Sequence, residues 1–467
     1  MKSTVLFIGC FFVLFTCSFA NNLQISNVNK GSDANGKVLI NFDISWENSW
    51  RCDIVGNGYA EPYNYDAVWL FVKYRPAGGE WKHATLSTDV NDQAPISGSQ
   101  ITPYPNGKGI LIYRNANGSG NLSLSNIGIS WNYLADSVLP NNFEIKLIGI
   151  EMVYVPQGSF YLGDGGPSFL QFSDGNTNTP YLVNYQGTVT IGSNGLNYDG
   201  AFSGETNPNF PTGFNAFYCM KYELSQGQYV DFLNMLTPSQ GNNRFPNAYG
   251  LSRHRIQISN NFYATDRPDR ACNFLSWLDL LAYADWAGMR PMSELEFEKA
   301  CRGPRTPILL EYAWGSTQIN LATMFSGDEN GTETIDGNCI THIGTLIEGD
   351  GEQGPIRCGI FARTGRTRLL SGATYYGIME MTGNVWEQCI SIDNIVGRFY
   401  DANHGDGNLT TQGNFNVSGW VSYNGGKLRG GGWFYPHMYN LSISGRTDAT
   451  DATRNYERGG RVIISAP

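Results

Sequence analysis

The sequence predicts an all-β sandwich followed by a loop-rich α+β domain. Residues 21–148 alternate apolar and polar positions in short runs between turn residues, the pattern of a sandwich. Residues 225–303 hold three Ser-led helix entries. Beyond residue 304 no long periodic helix occurs, and the 56 glycines of the chain point to much irregular backbone.

Residues 1–20 read as a secretory signal. Lys2 supplies the charge, residues 5–15 the apolar run, and Ser18-Phe19-Ala20 a small-x-small cleavage site. The run is short for a membrane span of roughly 20 residues. The protein is therefore expected to be exported to the periplasm, cell surface or medium. Lipid anchoring at Cys17, after the poor signal Leu14-Phe15-Thr16, is the alternative and the one route to a membrane.

The sandwich is expected over residues 21–148. Residues 38–46 begin apolar and then alternate. Residues 67–74 stop before Pro76-Ala77-Gly78-Gly79, a hairpin-like turn, and residues 80–84 return. Further strands are expected at 109–114, 120–130 and 143–149. His83 reads as a surface strand residue. The second region, residues 149–467, opens on the strand-like Met152-Val153-Tyr154-Val155. Its helices start at capping boxes, where a Ser hydroxyl and a side chain three residues on satisfy the first free amides. The pairs are Ser225 with Gln228, Ser276 with Asp279 and Ser293 with Glu296, the last helix stopping at Gly303. The long irregular stretch that follows needs local clamps to hold it.

At 467 residues the chain has room for two or three cores. Charged residues are 15% and aromatics 13%, a balance that argues against disorder. The net charge of −10 excludes nucleic acid as a natural partner. Seven cysteines follow Ala20, with no Cys-x-x-Cys pair. Zinc-site spacing is absent, and isolated buried thiols are expected. The chain has no Gly-x-Ser-x-Gly, phosphate loop or His-Glu-x-x-His.

Two segments stand out: Gly383-Asn384-Val385-Trp386-Glu387 and Arg429-Gly430-Gly431-Gly432-Trp433. Ahead of them come Lys221-Tyr222-Glu223-Leu224-Ser225, Arg290-Pro291-Met292-Ser293-Glu294 and Tyr312-Ala313-Trp314-Gly315. Gly460-Arg461-Val462 follows. In this order the segments resemble the formylglycine-generating enzyme, or sulfatase-modifying factor, family. The resemblance implies a formylglycine-generating-enzyme-like domain of C-type lectin-like fold behind the N-terminal all-β sandwich.

The resemblance also implies two calcium sites. The first maps onto Glu380, Gly383, Val385 and Glu387, with Glu380 standing where the family usually has Asp or Asn. The second maps onto Asn338, Cys339, Asp350 and Glu352, at shorter spacing than the family's. Carboxylates alternating with backbone carbonyls suit calcium, which takes six to eight hard oxygens. Family enzymes hold copper(I) between two cysteines, and copper(I) requires such soft thiolates. Those positions map onto Tyr435 and Asn440, and the neighbouring serine onto Gly432. Neither copper nor iron is therefore expected.

The resulting expectation is an exported, calcium-stabilised binding or structural protein with a catalytically inactive domain. The alternative is a formylglycine-type or other oxidase with an unrecognised site. A peptide, glycan or protein partner is expected at the lectin-like groove, near Trp433, Tyr435, His437, Tyr439 and Arg446. For Arg446 a structural ion pair is the favoured reading over a groove contact to a carboxylate or phosphate.

Overall fold

The computed structural model describes residues 22–52, 64–138, 143–166, 171–341, 353–363, 365–422, 425–434 and 438–467. Cys17, Asp350, Glu352, Tyr435 and His437 lie outside the described residues.

The first eight strands are β1 (Gln24–Ala34), β2 (Lys37–Cys52), β3 (Asn64–Pro76), β4 (Lys82–His83), β5 (Ser99–Pro103), β6 (Ile110–Arg114), β7 (Gly118–Trp131) and β8 (Phe143–Val155). The expected hairpin is present: Gly79 N–H donates to Pro76 O at 2.9 Å, and Lys73 pairs with His83. Two later strands are β9 (Phe217–Met220) and β10 (Arg290–Pro291). Among the described residues one antiparallel sheet runs β1-β2-β3-β8-β9, then the C-terminal strand Val462–Ser465, then β10.

β3 explains how the two halves of the chain join. Its residues 65–74 are buried without a break, so both of its faces are covered. Val68, Leu70, Val72 and Tyr74 share a core with the apolar alternates of β2 and β7, among them Val38, Ile40, Ile127 and Ile129. Tyr65, Ala67, Trp69 and Phe71 face the other way, into the core of the later helices. Trp69 Nε1 donates to Ala287 O at 2.9 Å, across 218 residues of sequence. β8 pairs with β3 from Phe143 to Val153 and with β9 from Met152 to Val155. The expected junction at residues 148/149 thus falls inside a continuous strand, with no linker.

Four capped helices follow: α1 (Gln226–Asn234), α2 (Pro238–Arg244), α3 (Trp277–Trp286) and α4 (Glu294–Arg302). All three expected capping boxes form. A fourth, Thr237 with Gln240 and with Pro238 in the first turn, opens α2 and was not anticipated. α4 ends at Gly303, at φ +66°.

α4 carries the clamps that the irregular C-terminal stretch needs. Glu294, Glu298 and Arg302 sit at i, i+4 and i+8, all buried, and so on one helix face. Glu294 and Glu298 accept from Arg429 at 3.2 and 2.7 Å. Arg302 bonds Glu298 at 3.1 Å and also holds Glu311.

Six of the seven described cysteines are buried, and those six are free thiols. His83 departs from the surface reading. It is buried, stacked on Phe71 at 5.4 Å and bonded to Lys108 O at 2.6 Å, because the two-residue β4 lies under Trp286 rather than at a free edge.

Candidate metal centre and groove

The two signature segments fold as one hydrogen-bonded unit. Glu387 pairs with Arg429 in a short antiparallel ladder. Gly383 N–H donates to Gly430 O at 2.9 Å, and Trp433 N–H to Asn384 O at 2.7 Å. Gly383 sits at φ +83° and Gly430 at φ +80°, conformations that favour glycine. A Cβ on Gly383 would collide with Ile340 O and lie 2.6 Å from Cys339 Sγ.

Within this unit lie two buried carboxylates. Glu380 Oε1 accepts from Gly359 N–H at 3.1 Å. Glu387 Oε1 accepts from Arg461 Nε at 2.7 Å. The second oxygen of each, Oε2, is buried with no hydrogen-bond partner among the described residues. Burial pushes both carboxyls up to about 7, against the pull of Gly359 N–H on Glu380 and of Arg461 on Glu387. Glu380 is also at φ +52°, a region Asn and Asp tolerate better than Glu.

A third carboxylate belongs here and was given no role in the sequence reading. Glu223 Oε1 accepts from Val385 N–H at 3.0 Å, and its Oε2 accepts from the Asn384 amide. Burial, then the Glu387 charge, raise its pKa well above the carboxylate range. The Asn384 carbonyl Oδ1 accepts from Ile356 N–H at 2.9 Å. Glu223 lies within Lys221-Tyr222-Glu223-Leu224-Ser225, and nothing local in that segment points it at Val385.

Arg461 supplies the compensating charge in contact with the group. It is fully buried and also donates to Met220 O at 3.1 Å and Met379 O at 2.9 Å. Among the described residues no three His, Cys, Asp or Glu side chains are grouped to hold a metal. The first calcium set asks for two carboxylates and two carbonyls. The unpartnered Oε2 atoms of Glu380 and Glu387 suit the carboxylate half of it.

The second set is not assembled in the same way. Asn338 Oδ1 accepts from Asn320 N–H at 2.9 Å, and Cys339 O accepts from Ala322 N–H at 2.8 Å. Both oxygens thus already hold the local loop, and their expected partners Asp350 and Glu352 are not described.

The expected groove residues separate. Trp433 is core: it packs on Phe434 and Tyr456 and donates Nε1 to Tyr456 O at 3.0 Å. Tyr439 is on the surface, and Met438 beside it is equally exposed. Arg446 is buried in a bidentate pair with Glu294, at 2.7 and 2.8 Å, and also holds Asp393. The structure makes it an internal ion pair rather than a groove donor, because Glu294 turns inward on α4. Gly432 stands where the resemblance places the family's serine. A Cβ there would lie 2.9 Å from the Trp386 ring and 3.1 Å from Glu457 Oε2.

Fold and site together define a loop-rich α+β domain, locked by buried arginine–carboxylate pairs around two glycine–tryptophan segments. Residues 146–466 match the family described as Sulfatase-modifying factor enzyme 1-like domain. The chain belongs to that family. A formylglycine-generating enzyme of Thermomonospora curvata is 31% identical over 125 residues, which cover 27% of this chain and 34% of that protein. One from Streptomyces coelicolor is 30% identical over 125 residues, covering 27% and 33%. The match spans about a third of the length of these curated relatives.

Proposed function

We propose that this is an exported, calcium-stabilised binding protein whose family domain is catalytically inactive, carried behind an N-terminal β-sandwich. The observation that carries the calcium half is the pair of buried, unpartnered Oε2 atoms on Glu380 and Glu387. With Glu223 the group holds three carboxylates against the one guanidinium of Arg461. Buried carboxylates in excess of their cations are costly unless protons or a cation balance them, and calcium would do so with the carboxyls ionised. Glu380 and Glu387, with the carbonyls of Gly383 and Val385, would hold the ion. Its role is structural: it neutralises the carboxylates and fixes the Gly383 loop against the Gly430 loop.

Catalytic inactivity rests on the donor set. No cysteine follows Cys389, and Tyr435 and Asn440 stand at the copper positions. Neither can replace a thiolate toward copper(I). Trp386 and Glu457 crowd the place of the family serine. The copper chemistry of the family therefore does not fit this chain, and no step is derived through it.

The binding half rests on exposed apolar side chains beside that altered loop: Met438 and Tyr439 stand out from the buried Trp433. Large exposed apolar side chains are contact material for a peptide, glycan or protein partner. The inactivity claim is tested by incubating the intact chain with copper(I), oxygen and a cysteine-containing sulfatase peptide. No aldehyde above a no-protein control is expected. Turnover above that control would restore the oxidase alternative.

A further inference from the structure

A cavity of about 470 Å³ opens where the N-terminal strands meet the family domain. β2 contributes Trp50, and Arg363, Arg366, Arg368, Tyr375 and Gly377 are on the facing wall. It shares no lining residue with the loop at 433–440. Its size is that of a small-ligand pocket, roughly 300–1,000 Å³.

The charge of the wall is unbalanced. Arg363, Arg366 and Arg368 all line the cavity. Arg363 and Arg366 share one carboxylate, Asp336, at 3.2 and 2.9 Å, and Asp336 is 95% exposed. Arg368 donates to carbonyls: Ala313 O at 2.9 Å, with Cys301 O and Ala373 O at 3.3 Å. Burial lowers its pKa to about 10. Lys221, also on the wall, is already neutralised by Asp66 and Glu151 at 3.2 and 3.0 Å. The wall therefore carries guanidinium charge in excess.

Arg363 Nε and Tyr222 Oη, on two of the lining residues, are enclosed by protein and have no partner among the described residues. Trp50, Tyr222, Tyr375 and Tyr376 are the aromatic part of the lining. Trp50 donates Nε1 to Asn64 Oδ1 at 2.6 Å and lies against Gly377, where a Cβ would come within 2.9 Å of the ring. Tyr375 lies against the Arg368 guanidinium at 5.6 Å.

We propose that this cleft binds an acidic sugar, a ring of one or two saccharide units bearing a carboxylate or sulfate. The guanidiniums take the oxyanion, for which their fork geometry is suited. Trp50 and Tyr375 take the ring, as rigid apolar faces with polar edges. Carboxylate and sulfate present the same charged oxygens to these donors.

The test is calorimetric titration of the intact chain with glucuronate, glucose 6-sulfate, glucose and inorganic sulfate, with Trp fluorescence as second readout. Saturable binding of glucuronate or the sulfated sugar is expected, with glucose at least tenfold weaker. The preferred acidic sugar identifies which oxyanion the site takes. Arg363→Gln should weaken binding about tenfold, the scale of one charge-assisted hydrogen bond. Should that variant fold poorly, the native chain still decides: affinity for the acidic sugar must fall as salt is raised. Glucose binding as tightly as glucuronate overturns the proposal. Inorganic sulfate binding as tightly as the sulfated sugar overturns the ring contact. No saturation by any probe at about 10 mM overturns the site.

Discussion

Gly383 shows how much of the site depends on one backbone position. Its φ of +83° and the nearby Cys339 Sγ leave no room for a Cβ. Gly383→Ala should cost about 2–4 kcal/mol, measured as a fall in denaturation midpoint. Lys299 gives a pH signature. It is buried, donates to Phe214 O at 3.1 Å, and has its pKa lowered to about 7 by burial. The folded state therefore binds fewer protons than the unfolded chain between pH 7 and the ordinary lysine value. Stability from this group must rise with pH across that window, by at most about 1.4 kcal/mol per unit. Lys299→Met should be more stable than the native protein near pH 7, and the gap should close as pH approaches 10. A gap that is constant with pH in parallel urea titrations would contradict the assignment. At this scale the sequence was legible where chemistry is local. Glu380, Gly383, Val385 and Glu387 lie in one short stretch and are brought together around one loop. Glu223 was not legible, because its bond to Val385 joins residues 162 apart.

Helix α4 is the element on which the irregular C-terminal stretch hangs. Glu294 alone accepts from both Arg429 and Arg446. Removing one partner from a buried ionic group leaves uncompensated charge and costs about 3–5 kcal/mol. Glu294→Gln should lose stability on that scale, and the double variant Glu294→Leu with Arg446→Met should lose less than the two single losses summed. Additive losses in a double-mutant cycle would show that the pair is not coupled. The Ser-led capping boxes of α1, α3 and α4 were readable because each is closed within four residues. The box opening α2 carries the same signal, Thr237 with Gln240 and a Pro at the first helical position, and was overlooked. The role of Arg446 was open in sequence, since nothing local shows which way Glu294 points.

For the whole molecule, β3 matters most. Its alternate side chains serve two cores at once, so neither half of the chain can be lifted away without exposing one face. The unbroken apolar run at residues 67–72 carried that signal, since a strand open to water on one face alternates, but the sequence reading placed it in a separate sandwich. The pairing of β3 with β8 across 143–153 could not be read locally. Scanning calorimetry should show one cooperative transition for both regions, and two separable transitions would contradict the shared sheet. The central claim, a calcium ion clamping Glu380 and Glu387, is met most directly by melting the chain after refolding it in chelator, with and without added calcium. Refolding removes any slowly exchanging ion. Calcium should raise the melting temperature in proportion to the logarithm of its concentration, and Glu387→Gln should abolish most of that rise. Identical melting curves with calcium and with chelator, in the refolded native protein, would contradict the claim.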